Sequence, residues 1–87
     1  MTMKKHEFTI DLKGIRLATR LHAKLAEILP VPEGYGRNFD ALYDFLTERG
    51  ANLKVVFKNA ANVSQVLRQV CSDAVHETPG LEITFED

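Results

Sequence analysis

Two aspartates four residues apart, Asp40 and Asp44 in "PEGYGRNFDALYDFL", carry the clearest chemical potential of this 87-residue chain. Paired carboxylates can hold a divalent cation, share acid–base work, or meet a cluster of cations on another molecule. A Mg²⁺ site for phosphoryl transfer needs further ligands, and none stands at a matched spacing. Nor does the sequence offer a constellation of nucleophile, base and oxyanion donor. Ahead of the aspartates, Gly34, Tyr35 and Gly36 form a Gly-rich loop entering a helix, a layout that can receive an anion. "GYG" is too short for a P-loop and lacks its lysine, so nucleotide binding is weakly supported.

The element that must position the aspartates is a helix over "FDALYDFLTERG", with Asn38 as N-cap and Gly50 as stop. Phe39, Leu42 and Leu46 form its buried stripe. At 100° per residue, Asp40 and Asp44 lie roughly 100–140° from Phe39 and face solvent together. Like charges at this spacing repel by a few tenths of a kcal/mol. Asp40, at the second helical position, recovers part of that cost from the helix dipole; Asp44 recovers less. A solvated acidic face is the plain interpretation of such a pair, and spacing alone does not go beyond it.

Around this helix the chain alternates strands and helices. "EFTIDL" has the period-two pattern of a strand, with Phe8, Ile10 and Leu12 on one face. "LATRLHAKLAEIL" reads as an amphipathic helix on Leu21, Leu25, Ile28 and Leu29, with Thr19 as N-cap, stopped by Pro30 and Pro32. "LKVVF" from Leu53 is a second strand. Asn62 and Gln65 resemble a capping box before a third helix with an apolar stripe of Val63, Val66, Leu67, Val70 and Ala74. "TPG" breaks the chain at Thr78–Gly80, and "LEITFE" is a last strand. The order β-α-α-β-α-β predicts an α/β fold with a three-stranded parallel sheet and helices over it, as one domain spanning residues 1–87.

Composition narrows the partners. A net charge of −1, from 11 basic and 12 acidic residues, gives no global field for nucleic acid or an anionic membrane, so any electrostatic function is local. Cys71 has no cysteine partner and no zinc-type spacing, so it reads as a small buried hydrophobe in a reducing compartment. "MTMKKHEFTIDLKG" carries two lysines without an apolar run of signal-peptide length, and no window approaches the ~20 apolar residues of a membrane span. The expectation is a cytoplasmic protein without a metal or cofactor. His22 reads as packed or solvated rather than catalytic, and His6 and His76 have no near-sequence partner.

"PEGYGRNFDALYDFLT", sixteen residues without a gap, closely resembles the segment through which the barstar family of intracellular inhibitors binds bacterial, barnase-type ribonucleases. The resemblance rests on Pro32-Glu33, Tyr35-Gly36, Asn38 and the run Asp40, Ala41, Leu42, Tyr43, Asp44. It continues more weakly through Leu21-His22 and the closing "EIT". It implies a three-stranded parallel sheet flanked by helices. It also implies an antitoxin-like inhibitor with no catalysis or cofactor of its own, monomeric when free. The implied partner is an extracellular-type ribonuclease, with neither nucleic acid nor membrane bound. Asp44 would be the principal phosphate mimic, Asp40 its partner, and Gly36 and Asn38 the shapers of the loop.

By the same resemblance, Asp73 and Glu77 on the last helix form a second acidic pair. Gly34 stands where the family has an aromatic, Tyr43 replaces a tryptophan, and Arg37 replaces an acidic residue. A helix that follows the family's second strand looks deleted at "KNAANV". Tyr35 is equally a core aromatic under the loop or a partner contact, while Tyr43 falls on the interface side. A regulatory module of the same fold, binding a basic protein other than a nuclease, remains the alternative.

Overall fold

A computed structural model describes residues 5–87, so the first four residues of the lysine-bearing opening lie outside the description. The elements run β1 (His6–Asp11), α1 (Ala18–Ile28), α2 (Phe39–Arg49), a 3₁₀ turn (Gly50–Asn52), β2 (Leu53–Lys58), α3 (Gln65–Glu77) and β3 (Glu82–Phe85). All strands are parallel, in the order β1-β2-β3.

Register follows from which face must be dry. Phe8, Val55 and Ile83 lie in one row, and Ile10, Phe57 and Phe85 in the next. A slip of one residue would turn both rows to water. The Phe57 and Phe85 rings stack with centroids 4.9 Å apart. Leu21 and Leu25 of α1, Leu42, Phe45 and Leu46 of α2, and Leu67, Cys71 and Ala74 of α3 close over these rows in one core. Val56 points the other way and lies outside that core, so the helices cover one face and the other is polar. There Lys5 Nζ meets Glu82 Oε2 at 2.9 Å. Among the described residues, no helix is long and apolar enough to cross a membrane.

Three local expectations are corrected. The Leu21 amide bonds the Leu17 carbonyl at 3.0 Å, so α1 starts ahead of Thr19, and its N-cap is Leu17, which has no capping side chain. At the start of α3, Val63 N–H folds back onto the Ala60 carbonyl, which leaves Asn62 in a turn. Ser64 caps instead, accepting from the Val66 amide at 3.1 Å. With α3 in that phase its buried positions are Leu67, Cys71 and Ala74, and Val66 is 51% exposed.

At the amino edge of the sheet, the turn before β3 presses on the 3₁₀ turn. Gly80 has φ +97°, and a Cβ there would sit 2.3 Å from the Ala51 carbonyl oxygen, so only glycine fits. Leu81 packs against Gly50, where a Cβ would come within 3.1 Å of its Cδ1.

Candidate functional site: an acidic helix at the carboxyl edge of the sheet

The topology fixes where α2 begins. α1 and α3 each leave from the end of a strand, and α2 leads back to the start of β2. All three helices therefore begin at the carboxyl edge of the sheet. Phe39, the first residue of α2, confirms this by packing edge-on against His22 of α1, with ring centroids 4.5 Å apart.

The loop that feeds α2 is held at each step. Leu29 is extended (φ −81°, ψ 148°), as a residue before proline prefers. Tyr35 N–H then reaches the Pro32 carbonyl at 3.1 Å, closing a turn in which Gly34 has φ +83°. That geometry suits glycine at the third position of a type II turn. Arg37 follows with φ +52°, a left-handed conformation uncommon for a residue with a Cβ. Asn38 ends the loop: its Oδ1 accepts from the Ala41 amide at 2.7 Å, and its Nδ2 donates to the Gly36 carbonyl at 3.3 Å. A Cβ on Gly36 would meet Asn38 Nδ2 at 3.2 Å, so its side is closed.

Beyond this lock, Asp40 and Asp44 are exposed, and neither makes an ion pair or hydrogen bond through its side chain among the described residues. Asp40 lies in the first turn of α2 and Arg49 in the last, the arrangement the helix dipole favours. Tyr43 and Tyr35 are half-buried against the core. The Tyr35 hydroxyl is buried without a hydrogen-bond partner among the described residues, and burial raises the phenol pKa. The Tyr35 ring thus packs against the core with its hydroxyl buried. His22, 6% exposed, has its pKa lowered by burial, which disfavours the charged imidazolium beside Phe39. Among the described residues, no three His, Cys, Asp or Glu side chains gather as a metal site would require.

The second acidic pair is on α3. Asp73 and Glu77 are exposed on the later half of α3, which ends where β3 begins, at the amino edge. Asp73 Oδ1 accepts from Gln69 Nε2 at 2.9 Å. α2 and α3 pack along each other, but Asp40 and Glu77 stand toward opposite ends of the pair.

The family model described as Barstar (barnase inhibitor) matches residues 5–84. The chain belongs to the barstar family. None of the curated proteins matches it.

Two departures from the family pattern are visible in the backbone. Where the barstar family pattern has an aromatic, Gly34 occupies the left-handed position of the turn with open space beside it. The connection from β2 to α3 runs from Asn59 to Ser64 through turns, with no helix. Sequence reasoning placed Asn38 as the N-cap of α2 and Asp40 and Asp44 on its outward face, where the structure has them. It missed the seat of Phe39 on His22, for which periodicity in either helix carries no signal. It also missed Phe45, 3% exposed, which widens the buried stripe of α2.

Proposed function

We propose that this barstar-family protein binds and blocks the active site of a bacterial, barnase-type ribonuclease, using the start of α2 as a phosphate mimic. The observation that carries the reading is the capped, locked entry to α2, which presents Asp40 and Asp44 exposed and unpaired among the described residues. A ribonuclease gathers cations to stabilise charge on a transferring phosphoryl group, so its empty site attracts anions. Carboxylates on a rigid helix meet it without reorganisation, and Asn38 removes the entropy of ordering the first turn. Asp44 is the principal mimic and Asp40 its partner, with Gly36 and Asn38 shaping the approach. Gly34, Tyr43, Asp73 and Glu77 contribute at the margins. Tyr35 acts from beneath by supporting the loop. The protein works in the cytoplasm as an antitoxin-like inhibitor, with no catalysis and no cofactor of its own.

The test is co-purification with candidate bacterial ribonucleases followed by an RNA-cleavage assay. Asp44→Ala should weaken the complex by about 2–5 kcal/mol, the usual effect of removing one partner of a desolvated charge pair. The barnase–barstar pair is itself among the examples behind that range. If no ribonuclease is inhibited and Asp44→Ala leaves every captured partner bound, the reading is wrong. Capture of a basic protein without nuclease activity, lost in Asp44→Ala, would instead make this a regulatory module.

A further inference from the structure

The carboxyl edge holds a second feature that the acidic helix does not use. A cavity of about 670 Å³ opens between the β1–α1 turn, the β2–α3 connection and the start of α2. Its lining includes the apolar Ile15, Leu17, Phe39 and Val63 and the cationic Lys13 and Arg16. We infer that this groove docks a segment of a protein partner in which apolar side chains alternate with carboxylates.

Charge decides the sign of the occupant. Lys13 and Arg16 are exposed, and neither has an ion-pair partner among the described residues. The lining carboxylate is Asp87, whose Oδ1 is 3.8 Å from Nη2 of Arg68, a residue outside the lining. Asp11, at the end of β1, is not among the lining residues; its Oδ1 accepts from the Lys13 amide at 2.9 Å and from Asn59 Nδ2 at 2.7 Å, which hold it ionised, and its charge offsets part of that of Lys13. The first turn of α1 brings no acidic residue and no capping side chain to the groove. The charged lining is thus two cations, Lys13 and Arg16, against one carboxylate, Asp87, an excess that suits a carboxylate-bearing segment.

Leu17 argues that the occupant also has an apolar part. At 62% it is the most exposed large hydrophobic side chain described, and it occupies the N-cap of α1. Ser, Thr, Asp or Asn there would stabilise the helix by bonding its free amides, and leucine gives that up. Local rules are set aside in this way where a surface serves a partner. A free anion would use the two cations and leave Leu17 and Ile15 without a contact. A protein segment engages both kinds of group. Phe39 forms one wall while standing between Asn38 and Asp40, so a partner on the acidic face of α2 has this groove at its margin.

The test uses the isolated full chain, labelled with ¹⁵N. It is titrated with a synthetic peptide of alternating Leu and Glu, with its Leu-Lys counterpart, and with inorganic phosphate. The Leu-Glu peptide should shift the amides of Lys13–Ala18 and Ala61–Ser64 in a saturable way, and the Leu-Lys peptide should not. Lys13→Glu with Arg16→Glu should weaken binding by about fivefold, the size expected of two exposed charge pairs. Leu17→Ser should weaken it by about tenfold through lost apolar contact while raising the thermal midpoint by supplying a cap. Asp44→Ala should leave peptide binding unchanged, which separates this outcome from that of the ribonuclease reading. Equal binding of both peptides would overturn the inference. So would phosphate alone reproducing the shifts without competition from peptide, or unchanged affinity in Leu17→Ser.

Discussion

Replacing Asn38 with alanine tests the link between loop, cap and acidic face most directly. The substitution removes the 2.7 Å bond to the Ala41 amide and the longer bond to the Gly36 carbonyl. Losing an N-cap costs about 1 kcal/mol, and the second, exposed bond adds about 0.5 kcal/mol. For a domain of this size a destabilisation of 1 kcal/mol lowers the thermal midpoint by about 4–8 °C, so the expected drop is about 6–12 °C. Far-UV circular dichroism with heat and urea would measure it. Exchange of the Ala41 amide should accelerate about fivefold beyond the global change if the first turn opens by a further 1 kcal/mol.

Asn38→Asp is the control. It keeps the accepting oxygen and adds a charge the helix N-terminus favours, so its midpoint should stay within about 4 °C of the parent. Equal losses in the two variants would refute the capping argument. An unchanged midpoint in Asn38→Ala would also refute it. The loss should reach partner binding through Asp40, in the unravelled turn, more than through Asp44, one turn further on.

Gly80→Ala places a Cβ 2.3 Å from the Ala51 carbonyl at φ +97°, and should cost about 2 kcal/mol or more in urea unfolding. Because burial lowers the His22 pKa from 6.5, the unfolded chain binds the proton more readily. Stability from this residue is therefore full above about pH 6.5 and lost as pH falls through and below it. Urea midpoints between about pH 7.5 and 5.5 should fall, and His22→Gln should flatten that slope. Cys71 is 1% exposed with its thiol pushed up to about 12, so it should resist alkylation in the folded protein and react at once in denaturant.

Local sequence determined most of what neighbouring residues decide among themselves. Strand alternation in "EFTIDL" and "LEITFE", the prolines after Leu29, the cap at Asn38 and the outward aspartates of α2 all depend on spacings of a few residues. Such patterns survive wherever the element ends up. Caps were legible only where one candidate stood alone. Asn62 and Ser64 are both good caps, and the choice fell to the turn closed by Val63 and Ala60.

Tertiary structure decided what depends on residues distant in the chain. Parallel pairing of β1 with β2 brings Lys13 and Arg16 beside Val63 and Phe39, and no local period encodes that meeting. The core drew the Tyr35 ring inward and seated Phe39 on His22. Asp40 and Glu77, the outer members of two pairs equivalent as i, i+4 spacings, were set toward opposite ends of α2 and α3 because both helices start at the same edge of the sheet. The sequence alone establishes that the carboxylates face outward. Their position beside an apolar, cationic groove comes from the sheet, which brings every helix start to one edge.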